Sequence, residues 1–120
     1  MEVIIVDDLP FMRFLLRSAV EEAGYRVAAE AGDGRHALRE YLRNPGSLVF
    51  MDINMPVLDG ISALEHILRH DPEARIIMCS TIDEEDMIIR ALNLGARDYI
   101  VKPFSARRVE DALRRAEMPV

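Results

Sequence analysis

Five short apolar runs, each followed by a stretch with helical periodicity, restrict the fold of this chain more than any other feature. The runs predict strands over residues 3–6, 26–31, 48–51, 75–79 and 98–101. Strands that alternate with helices predict βαβ units and a parallel sheet with helices on both faces. A closed barrel needs eight such units and about twice this length. We therefore predict an open, doubly wound α/β fold with a five-stranded parallel sheet.

The segments between the runs carry helix start and stop signals. Pro10 suits the first turn of a helix and Gly24 ends it, and Asp33 can cap the next helix. The apolar face of each helix should pack on the sheet. The predicted buried faces comprise Phe11, Phe14, Leu15 and Ala19 in the first helix and Ala37, Leu38, Tyr41 and Leu42 in the second.

Length and charge exclude several classes of protein. The chain has 120 residues and a net charge of −6, which predicts one domain over residues 1–120 and disfavours nucleic-acid binding. Its apolar runs are too short to cross a bilayer, and no secretory leader is expected, because the first run begins two residues after Met1. A cytoplasmic protein without membrane insertion is the expectation. Cys79 is the only cysteine, so an internal disulfide is excluded.

Polar residues follow four of the five predicted strands. In an open α/β sheet the ligand site lies at the carboxyl ends of the strands, so these side chains should meet at one edge. Three carboxylates at that edge would repel one another without a cation, and a hard ion such as Mg²⁺ suits oxygen ligands. The residues concerned are Asp7, Asp8, Asp52, Ser80, Thr81 and Lys102.

This set of groups indicates phosphoryl-transfer chemistry. A carboxylate beside Mg²⁺ and an ammonium group can attack a phosphoryl group and form an acyl phosphate. We predict Asp52 as the nucleophile, with Asp7 and Asp8 holding the metal. Lys102 and the Ser80 hydroxyl can each neutralise or bind a phosphoryl oxygen.

Several motifs resemble the receiver domain of bacterial two-component response regulators, and most of all the single-domain CheY-like chemotaxis regulators. The resemblance covers essentially the whole chain and implies a flavodoxin-like (βα)5 sheet with strand order 2-1-3-4-5. The matching segments are VIIVDD at 3–8, MDINMP at 51–56, DG at 59–60, Ser80, GA at 95–96 and DYIVKPF at 98–104.

The resemblance also implies roles for single residues around a Mg²⁺ ion. Asp52 would be phosphorylated by a sensor histidine kinase, and the backbone carbonyl of Asn54 would join Asp7, Asp8 and Asp52 as a metal ligand. Lys102 would contact the phosphoryl group. Its peptide bond to Pro103 is expected to be cis.

A switch mechanism follows from the same resemblance. Ser80 would bind the phosphoryl group, with help from the Thr81 amide, and the Tyr99 ring would then rotate inward. This movement would change the face formed by the fourth helix, fifth strand and fifth helix, in the region of Ile88 and Tyr99, where a downstream protein binds. The family implies a monomer that acts as a phosphoacceptor and assists its own phosphorylation and dephosphorylation, and is not a conventional enzyme.

Alternative functions remain open at this point. Within the family, the chain could be a chemotaxis regulator, a phosphorelay shuttle or the receiver of a larger regulator. A Mg²⁺-dependent phosphotransferase or phosphatase would need a cap over the substrate, for which the chain has little room. A flavodoxin-like redox carrier would need a phosphate-binding loop after the first strand, where the acidic pair Asp7-Asp8 stands instead.

Overall fold

The structure, a computed structural model, describes residues 1–118 and contains a five-stranded parallel sheet in the order β2-β1-β3-β4-β5. This confirms the predicted fold and strand order. The strands and helices alternate along the chain. Their bounds are β1 Glu2–Val6, α1 Pro10–Glu22, β2 Arg26–Ala31, α2 Gly34–Arg43, β3 Leu48–Asp52, α3 Gly60–His70, β4 Arg75–Ser80, α4 Glu85–Leu94, β5 Asp98–Val101 and α5 Ala106–Glu117.

Two apolar cores form, one on each face of the sheet. Successive residues of a strand point to opposite faces, so Ile4 of β1 packs with α2, α3 and α4, whereas Ile5 packs with α1 and α5. Both faces of β1 and β3 are therefore covered, which explains why these strands are continuous apolar runs. No helix within residues 1–118 is long and apolar enough to span a membrane.

The predicted buried face of α1 is wrong in its first two turns. Phe11 and Phe14 are 67% and 62% exposed, whereas Leu16 and Val20 are buried. Apolar residues occupy more of the circumference of α1 than its contact with the sheet can cover. The aromatic rings consequently lie on the surface next to the carboxyl end of β1. In α2, Leu42 is exposed for the same reason, although Tyr41 is fully buried.

Two strands extend one residue further at their carboxyl ends than the sequence pattern predicts. β3 continues through Asp52 and β4 continues through Ser80, so both polar residues belong to the sheet itself. Beyond Asp52 the chain turns back tightly, because the Gly60 amide donates a hydrogen bond to the Ile53 carbonyl at 2.8 Å. Asp59 then caps α3 by accepting a hydrogen bond from the Ser62 amide. The sheet thus holds Asp52 and Ser80 directly.

Candidate functional site

Three carboxylates meet at the carboxyl ends of β1 and β3. One carboxylate oxygen from each of Asp7, Asp8 and Asp52 lies within 4.8 Å of the other two. β1 and β3 are adjacent and parallel, so their final residues arrive at the same edge. Asp7 and Asp52 are buried and Asp8 is exposed. The cluster predicted from the sequence is therefore present, with one side open to solvent.

Lys102 brings a positive charge to the carboxylates of this site. Its Nζ lies 2.8 Å from Asp7 Oδ2 and 3.0 Å from Asp52 Oδ1. The Lys102 amide donates a hydrogen bond to the Ser80 carbonyl at 2.7 Å, which ties the end of β5 to the end of β4. The Lys102–Pro103 peptide bond is cis, as the resemblance implies.

The charges of the site do not balance. Burial, and then the negative charge of Asp7, raise the pKa of Asp52 to about 6. Burial alone would lower the pKa of Lys102, but its hydrogen bonds to Asp7 and Asp52 raise it overall. One ammonium group thus faces three carboxylates. A divalent ion with oxygen ligands fits this donor set, because it supplies the missing positive charge.

The free energy of unfolding in EDTA is expected to fall as the pH rises from about 4 to about 6. The pKa of Asp52 is about 6 in the folded protein, against 3.8 ordinarily. The folded state therefore holds the proton more tightly, and this stabilisation is present below pH 3.8 and lost as the pH passes 6. With screening by water, the loss amounts to about 2 kcal/mol.

Urea unfolding of the wild type and Asp52→Asn at a series of pH values measures this contribution. Asp52→Asn lacks the titrating group, so its curve should exceed that of the wild type increasingly as the pH rises. Parallel curves for the two proteins would contradict the assignment of this titration to Asp52.

Ser80 places an unused hydroxyl group beside the cluster. It is the last residue of β4, its side chain is buried, and its Oγ has no hydrogen-bond partner among residues 1–118. Its neighbour Cys79 pairs with Asp52 across the sheet. A buried hydroxyl without a partner is costly, so a ligand oxygen at this edge would be stabilised by it.

Glu84, which was not predicted from the sequence, forms hydrogen bonds with both Thr81 and Asn54. The Thr81 amide donates a hydrogen bond to Glu84 Oε1 at 2.7 Å, and the Asn54 side chain donates to the other oxygen of Glu84. The loops after β3 and β4 are thereby connected. The spacing Thr81-x-x-Glu84 matches a capping box, in which an acidic side chain reaches back three residues to an amide. That pattern could have identified Glu84.

The surface next to Tyr99 differs from the prediction in one residue. Ile88 is only 6% exposed and belongs to the core, whereas Ile89 is 50% exposed. Consecutive helical residues are about 100° apart, so only one of the two can face outward. Tyr99 is 37% exposed. A groove of about 300 Å³ lies here between α4 and β5, lined by Thr81, Ile82, Glu85, Ile88, Ile89, Leu92, Tyr99 and Val101.

Comparison with known proteins decides the family. The sequence profile described as the response regulator receiver domain matches residues 3–114. The chain belongs to this family. Receiver domains related to CheY are signalling switches that interact with histidine kinases and downstream targets, and they are not conventional enzymes.

Curated relatives include two chemotaxis proteins. The chain is 46% identical over 113 residues to the chemotaxis protein CheY of Thermotoga maritima and 45% identical over 113 residues to that of Bacillus subtilis. Each alignment covers 94% of this chain and 94% of the relative. A third relative, protein CcdB of Bacillus subtilis, is 46% identical over 113 residues.

Solved structures show the same architecture. The CheX–CheY–BeF3–Mg²⁺ complex of Borrelia burgdorferi contains a chain that is 32% identical, with a TM-score of 0.93, and the match covers 99% of this chain and 90% of that one. The response regulator domain of Thermotoga maritima CheB is 32% identical, with a TM-score of 0.86 and coverage of 100% and 98%.

Proposed function

We propose that the chain is a phosphorylation-activated switch of chemotaxis or motility control. In this proposal Asp52 accepts a phosphoryl group from a sensor histidine kinase in the presence of Mg²⁺. The α4–β5–α5 face then changes and binds a downstream protein. The observation that carries the proposal is the convergence of Asp52 with two further carboxylates, the Lys102 ammonium group and the unpartnered Ser80 hydroxyl.

The donor set of the cluster supports Mg²⁺ as the cofactor. Asp7, Asp8 and Asp52 present oxygen atoms within 4.8 Å of one another, and the Asn54 carbonyl belongs to the loop that follows Asp52. These four residues would hold the ion. When bound, Mg²⁺ supplies positive charge that neutralises phosphoryl oxygens. The related chain from Borrelia burgdorferi was solved with CheX, BeF3 and Mg²⁺.

The residues of the chain itself then account for the transfer. A carboxylate oxygen of Asp52 forms a bond to phosphorus while the bond from phosphorus to the imidazole nitrogen of the kinase breaks. The electron pair of the broken bond stays on that nitrogen, which takes up a proton. Lys102, already within 3.0 Å of Asp52, stabilises the negative charge that moves onto the site.

The switch uses Ser80, Thr81 and Tyr99. In the acyl phosphate the Ser80 hydroxyl gains a partner, which it lacks among residues 1–118. The Thr81 amide can bind a phosphoryl oxygen only after it releases the Glu84 carboxylate, and the two negative groups repel each other. The loop between β4 and α4 must therefore move. This differential contact shifts the equilibrium toward a state in which Tyr99 turns inward.

An exposed apolar patch on α1 supports a protein as the phosphodonor. The patch consists of Leu9, Phe11, Phe14 and Leu15, and it begins directly after Asp8. Contiguous exposed apolar surface of this kind marks protein interaction sites. A kinase domain that packs on the patch would bring its phosphohistidine to the open side of the cluster.

Phe14→Ser is expected to reduce transfer from a phosphorylated histidine kinase about tenfold, because the variant loses a large apolar contact. The rate of phosphorylation of Phe14→Ser by acetyl phosphate should stay within twofold of the wild-type rate, because this small donor needs no docking surface. Rapid-quench measurement of both reactions tests the prediction. Met118→Ser removes an equally exposed apolar side chain elsewhere and serves as the control. Equal loss with both donors would assign Phe14 to the fold or to the chemistry.

Residues 1–120 are proposed to act as a single, monomeric receiver domain in the cytoplasm. The chain covers 94% of the length of the CheY relatives, which supports this organisation. A phosphorelay shuttle or the receiver of a larger regulator is the alternative. Two protein-glutamate methylesterases match at 42% and 44% identity, and the chain spans only 29% and 30% of their length.

Intact-mass spectrometry with acetyl phosphate and Mg²⁺ tests the proposed function. We expect an adduct of one phosphoryl group on the wild type and none on Asp52→Asn. Asp59→Asn is a matched control, because it neutralises an exposed carboxylate seven residues away and retains a capping side chain. An adduct that survives Asp52→Asn, or no adduct on the wild type, would overturn the proposal.

A further inference from the structure

A groove runs along α2 beside the loop that joins β3 to α3. It encloses about 600 Å³, and a neighbouring concavity of about 500 Å³ shares Arg35, Arg39 and Val57 with it. The groove lies on the β2 side of the sheet, whereas the α4–β5 face lies at the opposite edge. Its lining residues are Arg35, Leu38, Arg39, Leu42, Val57, Leu58 and His66.

Apolar side chains of the groove are exposed to water, which makes the free protein less stable. Leu42 is 53% exposed and Val57 is 72% exposed. Val57 has a φ of 69°, and the Leu58 amide donates a hydrogen bond to the Pro56 carbonyl at 2.7 Å, which makes a γ-turn centred on Val57. A β-branched residue rarely adopts this conformation. The Val57 side chain gains little burial in return, so a covering partner would stabilise it.

The rim of the groove is basic in an acidic protein. α2 carries three arginines and one glutamate, a balance of +2, while the whole chain has a net charge of −6. Arg43 pairs with Glu40. Arg35 and Arg39 form no salt bridge with any carboxylate in residues 1–118, and both are exposed. Two free guanidinium groups thus stand beside the apolar side chains.

We propose that this groove binds an acidic amphipathic helix of a partner protein. Arg35 and Arg39 are four residues apart, and so are Leu38 and Leu42, so α2 presents a basic stripe beside an apolar stripe. A partner helix would match both stripes if it carried acidic residues four positions apart along one stripe. Leucines four positions apart would form the neighbouring stripe. The occupied groove would bury Val57 and pair both arginines.

A polyanion fits this surface less well than a peptide does. Nucleic acid is bound through extended basic surface, but here two arginines flank an apolar floor and the chain as a whole is negative. An anionic membrane would likewise be repelled by the net charge. The charge pattern and the apolar floor together favour an acidic helix as the occupant.

Fluorescence anisotropy with a labelled model peptide tests the proposal. The probe is a helix of about 15 residues with leucines every third and fourth position and glutamates beside them; a second probe carries glutamine in place of glutamate. We expect saturable binding of the glutamate probe below about 100 μM. The glutamine probe should bind at least about tenfold more weakly, because it cannot pair with the arginines.

Variants locate the binding on α2. The double variant Arg35→Gln/Arg39→Gln and the variant Leu42→Gln should each weaken binding at least about fivefold. Arg43→Gln removes one arginine from the same helix outside the groove, and the affinity of this variant should stay within twofold of the wild type. Unchanged affinity in the first two variants, absence of saturable binding up to about 500 μM, or equal binding of both probes would overturn the proposal. So would tighter binding of an oligonucleotide or of phosphatidylglycerol vesicles than of the glutamate probe.

Discussion

Lys102→Arg is expected to preserve the fold and to slow the phosphorylation of Asp52 about a hundredfold, the loss typical for a misplaced electrostatic donor. The Lys102 ammonium group is a compact charge that reaches Asp7 and Asp52 at once, at 2.8 and 3.0 Å. A guanidinium group is wider and planar, so it cannot keep both contacts and approach a phosphoryl oxygen in the same space. It retains the positive charge, and the carboxylates therefore stay partly neutralised.

The time course of adduct formation with acetyl phosphate and Mg²⁺, followed by intact mass, measures this effect. Circular dichroism and urea unfolding show whether the fold is retained. Arg107→Lys is the reverse exchange at an exposed position of α5 and should change neither quantity. Phosphorylation of Lys102→Arg within twofold of the wild-type rate would refute the role given to the ammonium group.

Gly60→Ala is expected to lower the free energy of unfolding by about 3 kcal/mol or more, as severe overpacking against backbone does. A Cβ atom at Gly60 would lie 1.9 Å from the Asp52 carbonyl oxygen and 2.8 Å from its carbonyl carbon. Backbone cannot move aside as a flexible side chain can. The loop would have to open, and its movement would displace Asp52 as well.

Gly32→Ala provides the matched control for this prediction. There the added Cβ meets only the end of the Arg13 side chain, at 3.6 Å, which is an ordinary contact. Gly32→Ala should change the free energy of unfolding by no more than about 0.5 kcal/mol, as most surface substitutions do. Urea unfolding of the two variants at one pH measures the difference. A loss below about 1 kcal/mol for Gly60→Ala would show that the loop adapts without strain.

Much of the site could be predicted because it depends on strand ends. Asp7, Asp52 and Lys102 each follow or end an apolar run, and parallel strands bring such residues to one edge. Their contacts in the structure agree with this reasoning. Ser80 was predicted at the same edge, and the structure adds that its hydroxyl is buried without a partner in residues 1–118.

Other features could not be predicted from the sequence, because they depend on how much of a helix surface is covered by packing against the sheet. Periodicity places Phe14 on an apolar stripe, but only packing against the sheet decides which part of that stripe is buried. Ile88 and Ile89 are equally apolar neighbours, and the rotation of α4 on the sheet places the first inside and the second outside. The bridge from Glu84 to Thr81 depends on the path of the loop after β4.

The sequence by itself determined the α/β fold, the strand order implied by the family resemblance, and the residues that gather at the carboxyl ends of the strands. The fold class and these residues follow from short-range patterns, namely apolar runs, helix caps and the polar residue after each strand. The strand order rests on the family resemblance alone. Only the tertiary structure decided which apolar side chains remain exposed, and with them the α1 patch, the outward position of Ile89 and the groove beside Val57. Exposure depends on the area that neighbouring elements cover, and no local pattern specifies that area.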